Sequence, residues 1–177
     1  MEALKRPMRK SRNPLLSEAS EKLLNFRIEQ EEASARLYLA MSMCLNNEGY
    51  TGAAKLWKKY SDEEMAHADW ARNYLLAMGV TPATPMLQKP KTEFPGCLAE
   101  IIRDSFEHEI VVTKQIKALA ADAFKQADHM LYELALSYLK EQVEEHDKTQ
   151  TWLDKLMTFG SDPLALRLLD NEMGEGL

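Results

Sequence analysis

Cysteine is almost missing from this chain: Cys44 and Cys97 are the only two among 177 residues. Two isolated thiols cannot build a disulfide framework or a cysteine-rich metal module, and they fit a reducing compartment in which both stay free and packed. A cytoplasmic location is the expectation. Glycine and proline are scarce too, seven of each, and most prolines sit near the ends or between residues 82 and 95. Long uninterrupted tracts remain, which favour helix. No run approaches the roughly 20 apolar residues of a membrane span, and the start lacks the apolar core of a secretory signal. A soluble chain with no membrane partner is expected. At 177 residues and 45% hydrophobic composition, one well-buried core is within reach and two domains are not.

Positive charge is concentrated at one place. Lys5, Arg6, Arg9, Lys10 and Arg12 face only Glu2 within residues 1–14, a net of +4, so with −6 overall the rest carries −10. An acidic body argues against nucleic acid as a general partner, and it suits a chain that attracts cations or one kept soluble by its charge. Residues 1–14 are expected to form a basic, disordered extension, and residues 15–177 the single folded domain.

Helical periodicity dominates the remainder of the chain. The first tract runs from a Ser17 cap candidate over 18 to about 47, through Leu23, Leu24, Phe26, Ile28, Leu37, Tyr38, Met41 and Leu45. The second, from about 52 to 78, places Ala53, Leu56, Trp57, Tyr60, Met65, Ala68, Ala71, Tyr74, Leu75 and Met78 on a broad stripe that ends at Gly79. Each would be roughly 40 Å long, suited to a long bundle. Pro82, Pro85, Pro90 and Pro95 then forbid helix from Val80 to Gly96. That segment, about 17 residues, reaches roughly 50 Å when extended, enough to run the length of the bundle. It predicts one long crossover joining two helix pairs.

Helices are expected again over about 97–125, through Leu98, Ile101, Ile102, Phe106, Ile110, Val111, Ile116 and Leu119, and over about 128–158. The latter runs through Leu131, Leu134, Leu136, Tyr138, Leu139, Val143, Trp152, Leu153 and Leu156, and Gly160 closes it. A short terminal segment, Pro163 to Leu169, is apolar enough to suggest a subunit contact. The fold class is therefore all-α: a four-helix bundle with a short fifth helix.

Within these helices a pattern repeats. Glu31 is followed 33 and 36 residues later by Glu64 and His67, and Glu109 at the same intervals by Gln142 and Glu145. Glu64 and His67 share one helix face, about one turn apart. Glu31 and Glu109 fall amid apolar positions in mid-helix, where a charge is costly unless paired or metal-bound. A Glu from each of two helices with a three-residue ligand spacing on each of the others is how bundles surround a shared metal pair. Carboxylates with one imidazole select ferrous iron, manganese or zinc, iron foremost. Zinc hydrolysis is less well served, since no separate general base stands beside an open site.

The motifs Glu31-Glu32-Ala33-Ser34-Ala35-Arg36-Leu37-Tyr38, Asp62-Glu63-Glu64-Met65-Ala66-His67, Glu107-His108-Glu109 and Glu141-Gln142-Val143-Glu144-Glu145 resemble the ferroxidase centre of non-haem bacterial and archaeal ferritins in order and spacing. The resemblance covers residues 18 to about 172. It implies that Glu31 and His67 bind a first iron, that Glu64 bridges, and that Glu109 and Glu145 hold a second, with Gln142 beside them. Tyr38 would hydrogen-bond a ligand carboxylate, and Glu63, Glu141 and Glu144 would form a third iron site. The repeat is imperfect, so the first site is expected to be the tighter.

By the same resemblance the chain would oxidise ferrous iron with dioxygen or peroxide and store it in a hollow 24-subunit cage. Gln142 and Glu145 stand where bacterioferritins carry Glu and His, so no haem is expected, and Met65 is read as packing. Rubrerythrins are set aside because they need a cysteine-rich module. Ser137 departs from relatives with an aromatic residue near the centre, and Lys55, Lys58 and Lys59 obscure any mineral-nucleating surface. Asp122, Asp128 and His129 lie where the family forms pores, and ordinary turn polarity also accounts for them. Two rival readings are a DNA-protecting mini-ferritin-like role for the basic arm and a metal-free structural bundle.

Overall fold

The computed structural model describes residues 16–175, which contain five α-helices and no strand. They are α1 (Glu18–Asn47), α2 (Thr51–Ala77), α3 (Cys97–Lys125), α4 (His129–Phe159) and α5 (Pro163–Glu175). The basic extension expected over residues 1–14 lies outside the described residues. Ser17 caps α1 as the sequence suggests, its Oγ accepting from the Ser20 amide at 3.0 Å. Gly79 and Gly160, at φ 74 and 86, take the positive φ that favours glycine where α2 and α4 end. Asp128 caps α4 by accepting from the Leu131 amide at 3.1 Å, and it also accepts from the Ser20 hydroxyl at 2.7 Å. The structure thus accounts for its acidity by helix capping.

Chain direction follows from which residues share a core. At one end Met41, Leu45, Ala53, Trp57, Leu98, Ile101 and Leu156 pack together; at the other, Leu24, Ile28, Ala71, Leu75, Ala123 and Leu131 do. Helices α1 and α2 are therefore antiparallel, as are α3 and α4, while α2 and α3 run the same way. The helix-free stretch 78–96 joins them along the bundle, with Val80 against the far core and Phe94 buried in the near one. This is the expected long crossover.

Two expectations about burial need correcting. Phe26, Met65, Val111, Leu136 and Val143, expected on core stripes from their spacing, are 42–70% exposed. On α2 the buried arc passes through Trp57, Tyr60, Glu64, His67, Ala68, Ala71 and Leu75, and the 100° step between residues leaves Met65 just beyond its edge. The terminal segment is the other case: it is a helix of 13 residues, and its stripe of Ala165, Leu166, Leu169 and Met173 is buried against its own bundle. Leu164 and Leu168 alone among its leucines face outward. The polar layer between the two cores is the remaining feature of the interior.

Candidate metal centre

That layer is built from the middle turns of four helices, with Glu31 on α1, Glu64 and His67 on α2, Glu109 on α3, and Gln142 and Glu145 on α4. None of the six is more than 7% exposed. Side chains three or four apart on a helix share a face, and each pair here falls on the buried face of its own helix. The six residues of the repeat thus meet at one level of the bundle. Burying four carboxylates together is costly without cations, so the partners of each one matter.

The first half is compact. Donor atoms of Glu31, Glu64 and His67 all lie within 4.8 Å of one another, and among the described residues no other trio of Cys, His, Asp or Glu side chains does so. His67 Nδ1 is 3.5 Å from Glu64 Oε2, and Nε2 is 3.7 Å from Glu141 Oε1. Tyr138 donates its hydroxyl to the His67 carbonyl at 2.6 Å, and Trp70 stacks edge-on against the imidazole at 5.1 Å. Together they restrict how the α2 segment carrying His67 can shift. Burial pushes the Glu31 carboxyl well up from its ordinary value, with the Arg27 guanidinium opposing and Glu64 adding to the rise. Burial likewise raises Glu64, and the nearby Glu109 charge adds to it.

The second half is hydrogen-bonded. Tyr38 donates to Glu109 Oε1, and Gln142 Nε2 donates to Glu109 Oε2 at 2.9 Å, so both oxygens of that carboxylate have partners. Burial, then Glu109, raises the Tyr38 phenol far above its usual range, which keeps it a donor. Gln142 also donates to Thr113 Oγ1 at 3.0 Å, and Thr113 in turn bonds His146 at 2.8 Å. Behind Tyr38, His108 sits edge-on at 5.7 Å and bonds Ser34 at 2.8 Å. Burial lowers the pKa of His108, favouring a neutral ring.

Two cations escaped the sequence reading. Arg27 is only 2% exposed, and its Nε lies 2.8 Å from Glu31 Oε1, one helical turn away. Lys148 Nζ lies 2.8 Å from Glu145 Oε1 and 3.5 Å from Glu63 Oε2. Each stands three or four residues from a buried acid on the same helix, a spacing that was visible in the sequence. What was not visible is that both turn inward rather than to solvent. The acids expected at a third iron do not converge as the first trio does. Glu63 is partly buried against Lys148, Glu141 approaches His67, and Glu144 is exposed beside Trp70, Ser137 and Lys140.

Oxygen donors with one imidazole, in a buried layer rich in acid, fit hard or borderline divalent cations and offer nothing to soft ones. Known proteins resemble this chain over most of its length. A profile for the ferritin-like domain matches residues 21–159, which span α1 to α4. A probable bacterial non-heme ferritin-like protein of Haemophilus influenzae is 33% identical over 160 residues, 90% of this chain and 96% of that one. A bacterial non-heme ferritin of Bacteroides fragilis is 30% identical over 91% of this chain and 99% of its own. Among solved structures, an open-pore ferritin from the archaeon Archaeoglobus fulgidus superposes with a TM-score of 0.86 at 30% identity, covering 90% and 97% of the two chains. This chain belongs to the ferritin-like domain family.

Proposed function

We propose that this chain oxidises ferrous iron at the mid-bundle centre and stores the ferric product inside a homo-oligomeric cage of 24 subunits in the cytoplasm. The observation that carries the reading is the burial of four carboxylates and one imidazole at a single level, with Arg27 and Lys148 the two cations paired with them among the described residues. A metal-free structural bundle would have no reason to bear that desolvation cost.

Iron here is the substrate. Glu31 and His67 take one ferrous ion, Glu64 is shared, and Glu109 and Glu145 take the second, while Gln142 and Tyr38 orient Glu109. Two ferrous ions give one electron each to dioxygen, which with two protons becomes hydrogen peroxide; where peroxide is supplied instead, it accepts the two electrons and, with two protons, leaves as two waters. The protein's work is to hold the two ions together in a site of fixed charge, so that both electrons are available at once. Glu63, Glu141 and Glu144, at the outer edge of the layer, would have to draw together to hold a third iron. The reading needs no haem, and among the described residues no helix is long and apolar enough to cross a membrane.

The test is aerobic ferrous oxidation by the metal-free, full-length protein. Wild type should accelerate it well beyond buffer, and Glu64→Ala or His67→Ala should lower the initial rate by roughly 100-fold or more, as expected when a metal-binding residue of the reacting site is lost. A wild type no faster than buffer sinks the proposal. Retardation of DNA that vanishes when residues 1–14 are removed, and weakens steeply with salt, would favour the DNA-protecting alternative instead.

A further inference from the structure

The two halves of the centre hold their protein cations differently. Arg27 is 2% exposed, lies 2.8 Å from Glu31, and donates to Gln115 Oε1 at 3.3 Å, so its guanidinium is enclosed beside the compact trio. Lys148 has a side chain 32% exposed, although the Glu145 carboxylate it pairs with is only 6% exposed. Its ammonium lies between Glu145 and Glu63, 5.9 Å above the Tyr60 ring. A lysine ammonium on a four-carbon stem is a mobile point charge, whereas a forked, buried guanidinium is not.

We propose that Lys148 is a tethered cation that occupies the Glu145 side of the centre and must be displaced before a metal ion binds there. The inference rests on the metal-centre reading and deepens it. Glu145 cannot keep a close ammonium and accept a divalent ion on the same oxygen without strong repulsion between the two positive charges. Outward rotation of the lysine stem relieves this, and the partly exposed side chain has room to make it. Glu63 Oε2 lies 3.5 Å from the same ammonium, so a cation at Glu63 would meet the same positive charge. The tighter first site, expected from the imperfect repeat, then has a second cause: its donors are already assembled, while the other half is closed by a charge of the protein's own. Lys148 is a positioning residue and takes no part in electron transfer.

Zinc, which does not change oxidation state, separates binding from chemistry. Metal-free full-length protein is titrated with Zn2+ against a chelator of known affinity. Wild type should bind in two steps with the second weaker. Lys148→Met should tighten the second step by roughly tenfold or more, within the usual range of coupling between neighbouring sites, and leave the first within about twofold. Lys148→Arg, which keeps the charge, should leave the second step weak. A crystal structure of zinc-loaded wild type supplies an independent readout, with Lys148 Nζ expected beyond hydrogen-bond distance of Glu145. An unchanged or weakened second step in Lys148→Met overturns the proposal, as does an ammonium still on Glu145 with zinc bound. A wild type that binds no zinc, or a first step indifferent to Glu64→Gln, overturns the metal-centre reading and this proposal with it.

Discussion

Protons are the clearest competitors of cations at the level of single residues. Glu31, Glu64 and Glu145 all keep their protons to higher pH than ordinary carboxyls, burial being the largest cause in each. A raised folded-state pKa means that the folded chain binds more protons than the unfolded one. The stability these groups contribute is therefore fully present below the unfolded carboxyl value, near about 4.3, and is lost as pH rises through the raised values. His108, whose folded pKa is lowered, works in the opposite sense, so the informative quantity is a difference between variants. Glu64→Gln has no proton to lose, and in metal-free protein its stability relative to wild type should rise between about pH 5 and about pH 8. Urea unfolding at both pH values measures this. A gap that stays constant would show that Glu64 ionises in the folded chain as freely as in the unfolded one. Metal binding should release protons from the same carboxyls, since the ligating forms are deprotonated.

Helix ends and helix contacts decide how the layer is framed. Tyr50 gives α2 no side-chain cap; instead the Ala53 amide donates to Asp170 Oδ1 of α5 at 2.9 Å. Arg167 completes the junction, donating to the Gly49 carbonyl at 2.7 Å and to Asp170 Oδ2 at 3.2 Å while lying 5.3 Å over the Tyr50 ring. Gly52 makes the close approach possible, because a Cβ there would run into the Asp170 carbonyl oxygen, and Gly174 lies against it. Gly52→Ala should therefore lift α5 from the bundle end and cost roughly 1–3 kcal/mol, lowering the melting temperature by about 2–4 °C per kcal/mol. Zinc binding at mid-bundle should survive. Hydrogen exchange over residues 163–175 is the measurement, and unchanged protection there would rule out this view of α5 as an element docked through Gly52.

At the scale of the whole molecule, the surface still carries large apolar side chains. Phe124, Val143, Met157, Leu164 and Leu168 are each more than half exposed in the single chain. Scattered apolar residues are ordinary on a surface, but Met157, Leu164 and Leu168 lie near the end where α5 docks, where a closed assembly would bury them. Light scattering coupled to size exclusion should find the mass of a 24-subunit shell at micromolar protein. Leu164→Glu combined with Leu168→Glu should shift the population toward smaller species while each chain keeps its helix content. A wild type that remains monomeric under iron-loading conditions would remove the cage from the proposed function.

Much of this was legible in the chain because helical periodicity is local. Gly79, Gly160 and the proline-rich stretch mark ends and connections regardless of what packs nearby, and the 33 and 36 intervals carry through because two helix pairs of similar length repeat the same step. Buried acids were readable for the same reason: Glu31 and Glu109 interrupt apolar stripes that must face inward. Direction was harder. Arg27 and Lys148 have spacings that also describe solvent-exposed ion pairs, and only the packing of four helices turns their charged ends toward the carboxylates. Met65 was misplaced because inward and outward differ by a fraction of a helical turn, and the α5 stripe because periodicity marks an apolar face without saying what covers it; three-dimensional contacts decide both. By itself the sequence determined the helices, the crossover and the polar residues that interrupt the apolar stripes. Tertiary structure decided which of those side chains lie close together and which protein cations stand beside them, since those depend on distances between segments far apart in the chain.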